Sequence, residues 1–411
     1  MRDTDLYSRI LGIQAPWTVT DVELTRSEGE VRVHVAHDEA IPLVCPECGQ
    51  AVPGYDSRRR QWRHLDTCQL RTILVADVPR VNCPEHGVRQ VDVPWAEEGS
   101  GFTALFEALV IDWLQEASIQ AVAKQLGLSW SAVDGILQRA VSRGLARREP
   151  IATGALAVDE KAYKKRHNYL TVVSDGTHVL HVAEGRREAS LAGFLQSLTS
   201  AQKHRIRWVS MDMWPPYIRA VTDNLPHGAR KIAFDRFHVA KQFNEAVDLV
   251  RRKEHKALAK EGDDRLKGTK YHWLRGGGPR KATEQDRFDQ LRQQELRTAR
   301  AWAIKETASD LWDYRDRDSA RTAWYRLLSW MARSRLQVMV KLGQTVRNHL
   351  WGILNAVMAG ASNSLAENLN NRIQRIKARA NGFRNRQRMI NAIYFHLGGL
   401  NLYPAKAGYG T

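Results

Sequence analysis

Two short cysteine knuckles constrain the fold of this chain more than any other feature. Cys45 and Cys48 form a CPEC sequence, and after 34 intervening residues Cys83 and His86 form a CPEH sequence. A spacing of two residues lets both side chains of a knuckle reach one ion, and three thiolates with one imidazole complete the tetrahedral shell of Zn²⁺. We therefore predict a structural zinc site with these four ligands, leaving no position open for a substrate. The alternative is that the cysteines are incidental.

Other residues of this region have weaker signals. Cys68 has no partner knuckle, and we expect a buried thiol there rather than a fifth ligand. His64 is a weaker alternative ligand. Gly49 and Gly87 follow the knuckles, where a residue without a β-carbon lets the backbone turn under the metal.

A helix-turn-helix pattern follows the knuckles. Apolar residues recur at helical spacing on both sides of Gly127, so two short helices can pack across a glycine turn. Ser129 is a suitable N-cap for the second helix. An ordinary helical hairpin is the alternative, because the pattern is loosely specified.

The second of these helices supplies candidate DNA contacts. The recognition helix of such a motif presents its N-terminal residues to base edges, and basic residues after it can bind phosphates. The residues expected near the exposed face are Trp130, Ser131, Asp134 and Gln138, and the expected phosphate contacts include Arg139 and Arg143.

Two β-rich runs each end in an aspartate. Residues 155–158 precede Asp159, and residues 207–211 precede Asp212. Carboxylates at the ends of neighbouring buried strands can converge, and such a cluster is usually neutralised by a pair of divalent ions. We therefore predict that these aspartates bind Mg²⁺ or Mn²⁺ for chemistry on a phosphodiester.

A third carboxylate would complete the cluster, and Glu367 is the best candidate. It lies on a predicted helix that begins near Ser364. These two residues also form a capping box, in which Glu367 would bind only a backbone amide. Asp159 and Asp212, taken singly, are more typical of turns or helix caps than of a metal site, and Asp235 could be a further ligand or merely structural. Only the combination favours a catalytic site.

The chain is strongly basic. It has 62 Lys+Arg against 45 Asp+Glu in 411 residues, a net charge of +17, and such an excess is typical of proteins that bind nucleic acid. Residues 368–411 contain eight basic and no acidic residues. Asn371 lies one turn beyond Glu367, and three arginines share one side of the same predicted helix, where they can bind DNA phosphates. They are Arg372, Arg375 and Arg379.

Composition excludes several classes of protein. A hydrophobic fraction of 43% and a charged fraction of 26% are ordinary for globular proteins and exclude a disordered chain. No run approaches the roughly 18–20 apolar residues of a membrane span. The N-terminus has no apolar signal core, so we expect a cytoplasmic protein with no membrane partner.

In this order, the motifs resemble a bacterial insertion-sequence transposase of the DDE class, in the ISL-three (ISL3) group. The resemblance rests on the two knuckles, the helix-turn-helix and four further segments, and it covers nearly the whole chain. Those segments are Val158-Asp159-Glu160, Ser210-Met211-Asp212-Met213, Phe234-Asp235-Arg236-Phe237-His238 and Ser364-Leu365-Ala366-Glu367-Asn368-Leu369-Asn370-Asn371.

The resemblance implies an α/β fold with an RNase-H-like catalytic domain, preceded by a zinc-ribbon module and a helix-turn-helix domain. It implies that Asp159, Asp212 and Glu367 are the DDE triad. A large helical insertion would occupy the 154 residues between the second and third acids. The residues of 238–360 independently predict helices there.

These expectations divide the chain into regions. They are an N-terminal segment (1–40), the zinc module (41–98), the helix-turn-helix domain (99–150), the catalytic domain (151–237 and 361–400), the helical insertion (238–360) and a tail (401–411).

The function implied is metal-dependent cleavage and strand transfer at the ends of an insertion sequence. The expected partners are the terminal inverted repeats, target DNA and further copies of the chain, because two DNA ends must be brought together. A DNA-binding regulator without catalysis and a nuclease or resolvase without strand joining are the alternatives.

Overall fold

The computed structural model describes residues 2–164, 168–275, 282–360 and 364–407, without the side chains of 282–284, 287 and 364–367. The chain folds as two compact units. The first comprises the residues up to Glu149 and those from Asn391 onward, and the second is Pro150–Ile390.

The described residues form ten strands and sixteen α-helices. The strands are β1 (Trp17–Thr25), β2 (Glu30–His37), β3 (Gly54–Thr67), β4 (Leu70–Cys83), β5 (Gly87–Gln90), β6 (Ala155–Lys164), β7 (Asn168–Ser174), β8 (Val179–Glu184), β9 (Trp208–Met211) and β10 (Ile232–Phe234). The helices are α1 (Asp3–Leu11), α2 (Ala104–Glu116), α3 (Ile119–Leu126), α4 (Trp130–Ala146), α5 (Glu188–Ser197), α6 (Ser200–Arg205), α7 (Pro215–Asn224), α8 (Gly228–Lys231), α9 (Arg236–Lys260), α10 (Lys270–Leu274), α11 (Ala282–Arg292), α12 (Arg297–Asp310), α13 (Arg317–Arg333), α14 (Gln337–Ala359), α15 (Ser364–Arg379) and α16 (Arg386–Leu397).

The sheet of the first unit joins the N-terminal strands to the knuckle region. Its order is β1-β2-β4-β3, with β5 paired to β4. The residues expected as a separate segment at 1–40 therefore share one sheet with the zinc module. The β3–β4 turn has positive φ at both Cys68 and Gln69, which is typical of a two-residue hairpin loop. Cys68 is exposed in that turn, so the expectation of a buried thiol is wrong.

The helix-turn-helix is formed by α3 and α4 as the sequence predicts. Gly127 ends α3 with a φ of +62°, a left-handed conformation that favours glycine. The Ser129 hydroxyl caps α4 by accepting the backbone N–H of Ala132 at 3.1 Å. These two local signals set the turn between the helices.

The C-terminal segment packs within the first unit. Arg143 and Arg148 donate to the carbonyl oxygens of Leu402, at 2.5 Å, and Gly398, at 2.7 Å. Residues from Asn391 onward therefore belong with the helix-turn-helix, whereas we expected a catalytic domain up to residue 400 followed by a separate tail. The difference arises because the last, turn-rich stretch offers its carbonyl groups to arginines of the first unit.

The second unit is built on a five-stranded mixed sheet of order β10-β9-β6-β7-β8. β6, β7 and β8 are antiparallel neighbours, and β9 and β10 run parallel to β6 on its other side. With its helices, this is the RNase-H-like α/β arrangement that the resemblance implies.

Helices α9 to α14 lie between β10 and α15, as predicted for the insertion. Helix α14 packs closely against β10: a β-carbon on Gly352 would lie 2.4 Å from the Phe234 ring. The buried side chain of Asn355 donates to the carbonyl oxygen of Ile232 at 2.8 Å. The insertion thus covers the edge strand of the catalytic sheet.

Within the described ranges, no helix has the length and apolarity required to cross a bilayer.

Candidate active site and metal centre

The four knuckle side chains converge in the first unit. Their ligand atoms all lie within 4.8 Å of one another. Cys48 Sγ is 3.7 Å from Cys83 Sγ, and His86 Nδ1 is 3.8 Å from Cys45 Sγ and 3.5 Å from Cys83 Sγ. A tetrahedral Zn²⁺ with bonds of about 2.3 Å to sulfur and about 2.0 Å to nitrogen separates its ligands by roughly 3.5–3.8 Å. The donors fit that shell and support a structural zinc site.

Neighbouring groups stabilise these donors. Gly49 and Gly87 have φ of +71° and +68°, so the predicted tight turns are present. The backbone N–H of His86 stabilises the thiolate of Cys83 and lowers the pKa of Cys83 to about 6. His86 Nε2 lies 3.7 Å from Glu47 Oε2, which places a carboxylate behind the imidazole ligand.

His64, the weaker alternative ligand, has a different role. Its Nδ1 lies 2.9 Å from the Thr103 hydroxyl oxygen. Thr103 is the N-cap of α2, so this contact ties β3 to the first helix of the helix-turn-helix region. Burial lowers the pKa of His64 to about 4.

The exposed face of α4 is narrower than the sequence predicts. Ser131 and Gln138 are exposed and Trp130 is half-buried. Asp134 is buried, and its carboxylate accepts from the Gln138 amide at 2.9 Å. The expected exposure of Asp134 is therefore wrong.

An ion-pair network engages the two arginines expected to bind phosphate. Arg143 is buried and pairs with Glu97 and with the buried Glu107, whose Oε2 is 3.0 Å away. Arg139 pairs with the same Glu107 but keeps a third of its side chain exposed. Arg143 cannot reach DNA in this arrangement, so its assignment as a phosphate contact is wrong. Helical spacing could not identify Glu107, because it is 36 residues away in the sequence.

Strand register brings Asp159 and Asp212 to one level of the catalytic sheet. β6 runs parallel to β9 with Ala157 opposite Ser210, and the two aspartates lie two residues further along. Asp212 directly follows β9, as predicted. β6 continues to Lys164 because it pairs with β7, so Asp159 lies within its strand rather than at its end.

A cation and an amide hold Asp159. Lys161 Nζ lies 2.8 Å from Asp159 Oδ2, and the side-chain amide of Asn370 donates to the same oxygen. Asn370 is on α15, three residues after Glu367, so this contact brings the helix of Glu367 to Asp159. The sequence instead indicated Asn371, which is exposed.

Helix α15 carries the remaining predicted residues of this site. The side chains of Glu367 and Ser364 lie outside the described part of the chain, so neither the triad nor the capping box is described there. The predicted basic residues Arg372, Arg375 and Arg379 are exposed.

Asp235 and His238 extend the acidic row. The register of β10 with β9 places Asp235 beside Asp212. Asp235 caps α9, and His238 Nδ1 lies 3.2 Å from its carboxylate. The adjacent Asp235 carboxylate raises the pKa of His238, and the charges of Asp212 and Asp159 act in the same direction. The β-like run before Asp235 was the sequence signal for this position.

Sequence reasoning missed Glu160 and Arg186. Arg186 Nη1 lies 3.4 Å from Glu160 Oε2. Burial raises the pKa of Glu160; Arg186 opposes this shift, and Asp212 and Asp159 add to it. No local pattern pointed to the pair, because its contact depends on how β6, β7 and β8 fold together.

The acids are near one another but do not form a closed cage. Among the side chains described, no three carboxylate oxygens of this cluster lie within 4.8 Å of one another. Asp212 accepts the backbone N–H of Met213 at 2.6 Å, and Asp159 is paired with Lys161. A cation therefore already balances one of the acids.

Comparison with known proteins agrees with this arrangement. A family model described as a transposase, of the ISL3 DDE type, matches residues 156–393. The helix-turn-helix domain of transposase family ISL3 matches residues 91–141, and the zinc finger of the transposases of IS204, IS1001, IS1096 and IS1165 matches residues 42–86.

Similar full-length proteins are also transposases. The transposase of insertion element IS1557 from Mycobacterium tuberculosis is 29% identical, covering 97% of this chain and 96% of its own length. That of IS1001 from Bordetella parapertussis is 26% identical, covering 99% and 100%. The comparisons favour the transposase over the regulator and the nuclease. Because the ISL3 transposase model spans more than half of its residues, the chain belongs to the ISL3 family of insertion-sequence transposases, which are DNA-binding enzymes of the DDE class.

Proposed function

We propose that Asp159, Asp212 and Glu367 are the catalytic carboxylates with which this transposase cuts and joins DNA. The observation that carries the proposal is the β6–β9 register, which sets Asp159 beside Asp212. The contact of Asn370 with Asp159 supports the third assignment, since it brings the Glu367 helix to the same place. Carboxylate oxygens suit hard cations such as Mg²⁺ or Mn²⁺. When bound, a pair of such ions would activate the attacking oxygen and stabilise charge on the phosphodiester.

The chain's own residues prepare the site for this chemistry. Lys161 pairs with the Asp159 carboxylate, and Asn370 donates to the same oxygen and fixes its orientation. In the first step water attacks phosphorus, and the bond to the 3′-oxygen breaks, which leaves a 3′-hydroxyl. In the second step that hydroxyl attacks a target phosphodiester and displaces another 3′-oxygen; the attacking hydroxyl gives its proton to water, and the leaving oxygen takes one up from water. Three exposed arginines of α15 would bind the phosphates on either side: Arg372, Arg375 and Arg379.

We assign recognition of the element's ends to the first unit. Cys45, Cys48, Cys83 and His86 would hold the zinc ion that stabilises it. Trp130 and Ser131 of α4 would contact base edges, and Arg139 a phosphate. A working homo-oligomer is proposed because two terminal inverted repeats and a target must be held together.

A cleavage assay tests the triad. We expect Asp159→Asn and Asp212→Asn to abolish Mg²⁺-dependent cleavage of a duplex containing the element's terminal repeat and flanking DNA. Binding of that duplex without Mg²⁺ should be unchanged, because the proposed role of the two carboxylates is to hold the metal ions and not to contact the DNA. Asp223→Asn, which changes an exposed aspartate on α7, is the matched control. Cleavage at the native rate by either variant would reject the assignment.

A further inference from the structure

We infer that a cavity beside the catalytic acids binds a single nucleotide that has left the DNA duplex. This inference rests on the proposed function. The cavity lies in the second unit, has a volume of about 810 Å³ and is walled by β7, by the residues around the starts of α5 and α7, and by Arg386. Small-molecule sites typically have volumes of about 300–1,000 Å³, so a nucleotide fits but a duplex does not.

One wall of the cavity is an arginine between two aromatic rings. The guanidinium carbon of Arg186 lies 4.6 Å from the ring centroids of both Tyr169 and Trp214. Trp214 Nε1 donates to the carbonyl oxygen of Arg186 at 3.0 Å, which fixes the stack. All three residues line the cavity and are half-buried. Aromatic rings and guanidinium planes are the surfaces on which unpaired bases stack.

The rest of the wall favours a phosphate. Arg219 and Arg386 line the cavity and pair with Glu188, at 2.8 Å, and Glu184, at 2.5 Å. Arg187 is exposed, and no ion pair engages it within the described residues. Four arginines against two glutamates leave a net positive wall. Helices α5 and α7 are each ten residues long, and both begin at the cavity, so the positive ends of their dipoles add to this charge.

The position of the cavity identifies the nucleotide as part of the reacting strand. Arg186 reaches Glu160, the neighbour of Asp159, and Trp214 follows Asp212 by two residues. A strand whose phosphodiester lies at Asp212 therefore has a neighbouring nucleotide within reach of the cavity. Its base must unpair to enter, as bases do in other enzymes that extrude a nucleotide.

A double-mutant cycle tests the inference with the full chain: a side-chain substitution in the protein is combined with removal of one base from the DNA. Duplexes of the terminal repeat and flank carry one abasic position at a time around their junction, and binding is measured without Mg²⁺. On intact DNA, Trp214→Ala should weaken binding by about 5–160-fold, the range for loss of one stacked base. On DNA abasic at the extruded position, native chain and variant should bind equally, because no base remains to be stacked. Arg187→Gln should lower the slope of log affinity against log salt concentration by about one, the change expected for loss of one phosphate contact.

Controls separate this role from a structural one. Tyr325→Ala removes an exposed aromatic ring of α13 and should leave all duplexes unaffected. Thermal unfolding verifies that Trp214→Ala is folded; if it is not, Tyr169→Leu takes its place. The inference is overturned if Trp214→Ala weakens binding of intact and abasic DNA by the same factor. It is also overturned if millimolar deoxynucleoside monophosphates displace the labelled duplex as strongly as unlabelled duplex does. Absence of Mg²⁺-dependent cleavage would reject the proposed function, and this binding measurement would still be interpretable.

Discussion

The imidazole of His64 is buried in the first unit and forms a hydrogen bond with the Thr103 hydroxyl. Among the described residues, no carboxylate forms an ion pair with it. Burial lowers its pKa to about 4, against about 6.5 for an exposed histidine. Between these two values the unfolded chain binds a proton that the folded chain excludes. Stability must therefore fall as the pH falls from about 6.5 to about 4, and above pH 6.5 the residue contributes nothing to the pH dependence.

We expect His64→Gln to remove this part of the pH dependence. The full difference in unfolding free energy across the window is roughly 3–4 kcal/mol, because the folded and unfolded pKa values differ by about 2.5 and each pKa unit corresponds to about 1.4 kcal/mol. Denaturant unfolding of the native chain and of the variant is measured at pH 5 and at pH 7. The change in unfolding free energy between the two pH values is then compared between the two proteins. His204→Gln, an exposed histidine of the second unit, is the control. Parallel pH profiles for the native chain and His64→Gln would contradict the expectation.

The zinc donors were predictable from the sequence because their geometry is local. Two-residue spacing and a following glycine determine each knuckle, and only the meeting of the two knuckles depends on the wider sheet. The partners of Arg143 and the exposure of Cys68 were not predictable in this way. They depend on Glu107 in another helix and on a two-residue turn between long strands.

Removal of one knuckle ligand should abolish zinc binding. We expect Cys83→Ser to reduce bound zinc from one ion per chain to almost none, and to lower the melting temperature of the first unit, because structural zinc contributes directly to folding. Metal analysis of the purified chain measures the first effect and calorimetry the second. Cys68→Ser is matched in chemistry but lies in the exposed turn, and it should retain the ion.

At the scale of elements, pairing between strands decides where the acids lie. The β-rich runs of the sequence identified the strands, but they could not show that β6 continues past Asp159 along β7. The same limit explains why helical spacing indicates Asn371 whereas Asn370 makes the contact: the spacing defines a face only to within about one residue. The insertion was predictable as helical, but its attachment to β10 was not, since it depends on the fit of Gly352 to Phe234.

That fit gives a prediction for α14. In Gly352→Ala the new β-carbon would lie 2.4 Å from the Phe234 ring, so the helix or β10 must shift. We expect a loss of about 1–3 kcal/mol in unfolding free energy, the usual cost of overpacking. DNA cleavage should also fall, because Phe234 directly precedes Asp235 in the acidic row.

Gly193→Ala is the matched control for this change. Gly193 lies in α5, and no atom is within 4 Å of the added β-carbon. It should be neutral or stabilise the helix by up to about 1 kcal/mol. Equal effects of the two substitutions on denaturant unfolding would show that the contact with Phe234 is unimportant.

For the whole molecule, the order of motifs carried more information than any single one. The knuckles, the helix-turn-helix and the acids lie in separate stretches, and family resemblance supplied the fold that unites the last of them. Without the resemblance, the residue pattern predicted that the insertion is helical, and the composition showed that the chain is basic. They did not indicate that the chain from Asn391 onward returns to the first unit, because that depends on carbonyl groups accepting from Arg143 and Arg148.

The net charge of +17 predicts DNA binding that weakens steeply with salt, and α15 should account for part of the slope. Each phosphate contact contributes about 0.9 to the slope of log affinity against log salt concentration. Replacing Arg372, Arg375 and Arg379 together by Gln should therefore lower the slope by about 2–3. Fluorescence anisotropy of a labelled terminal duplex at several NaCl concentrations measures it.

A matched triple change on α13, of the exposed residues Arg321, Arg326 and Arg333, removes the same charge from the insertion. It should lower the slope by less than about one, since remote charges act only through the screened field. Equal slopes for the two triple variants would mean that overall charge, and not the position of α15 beside Asp159, determines how the DNA is held.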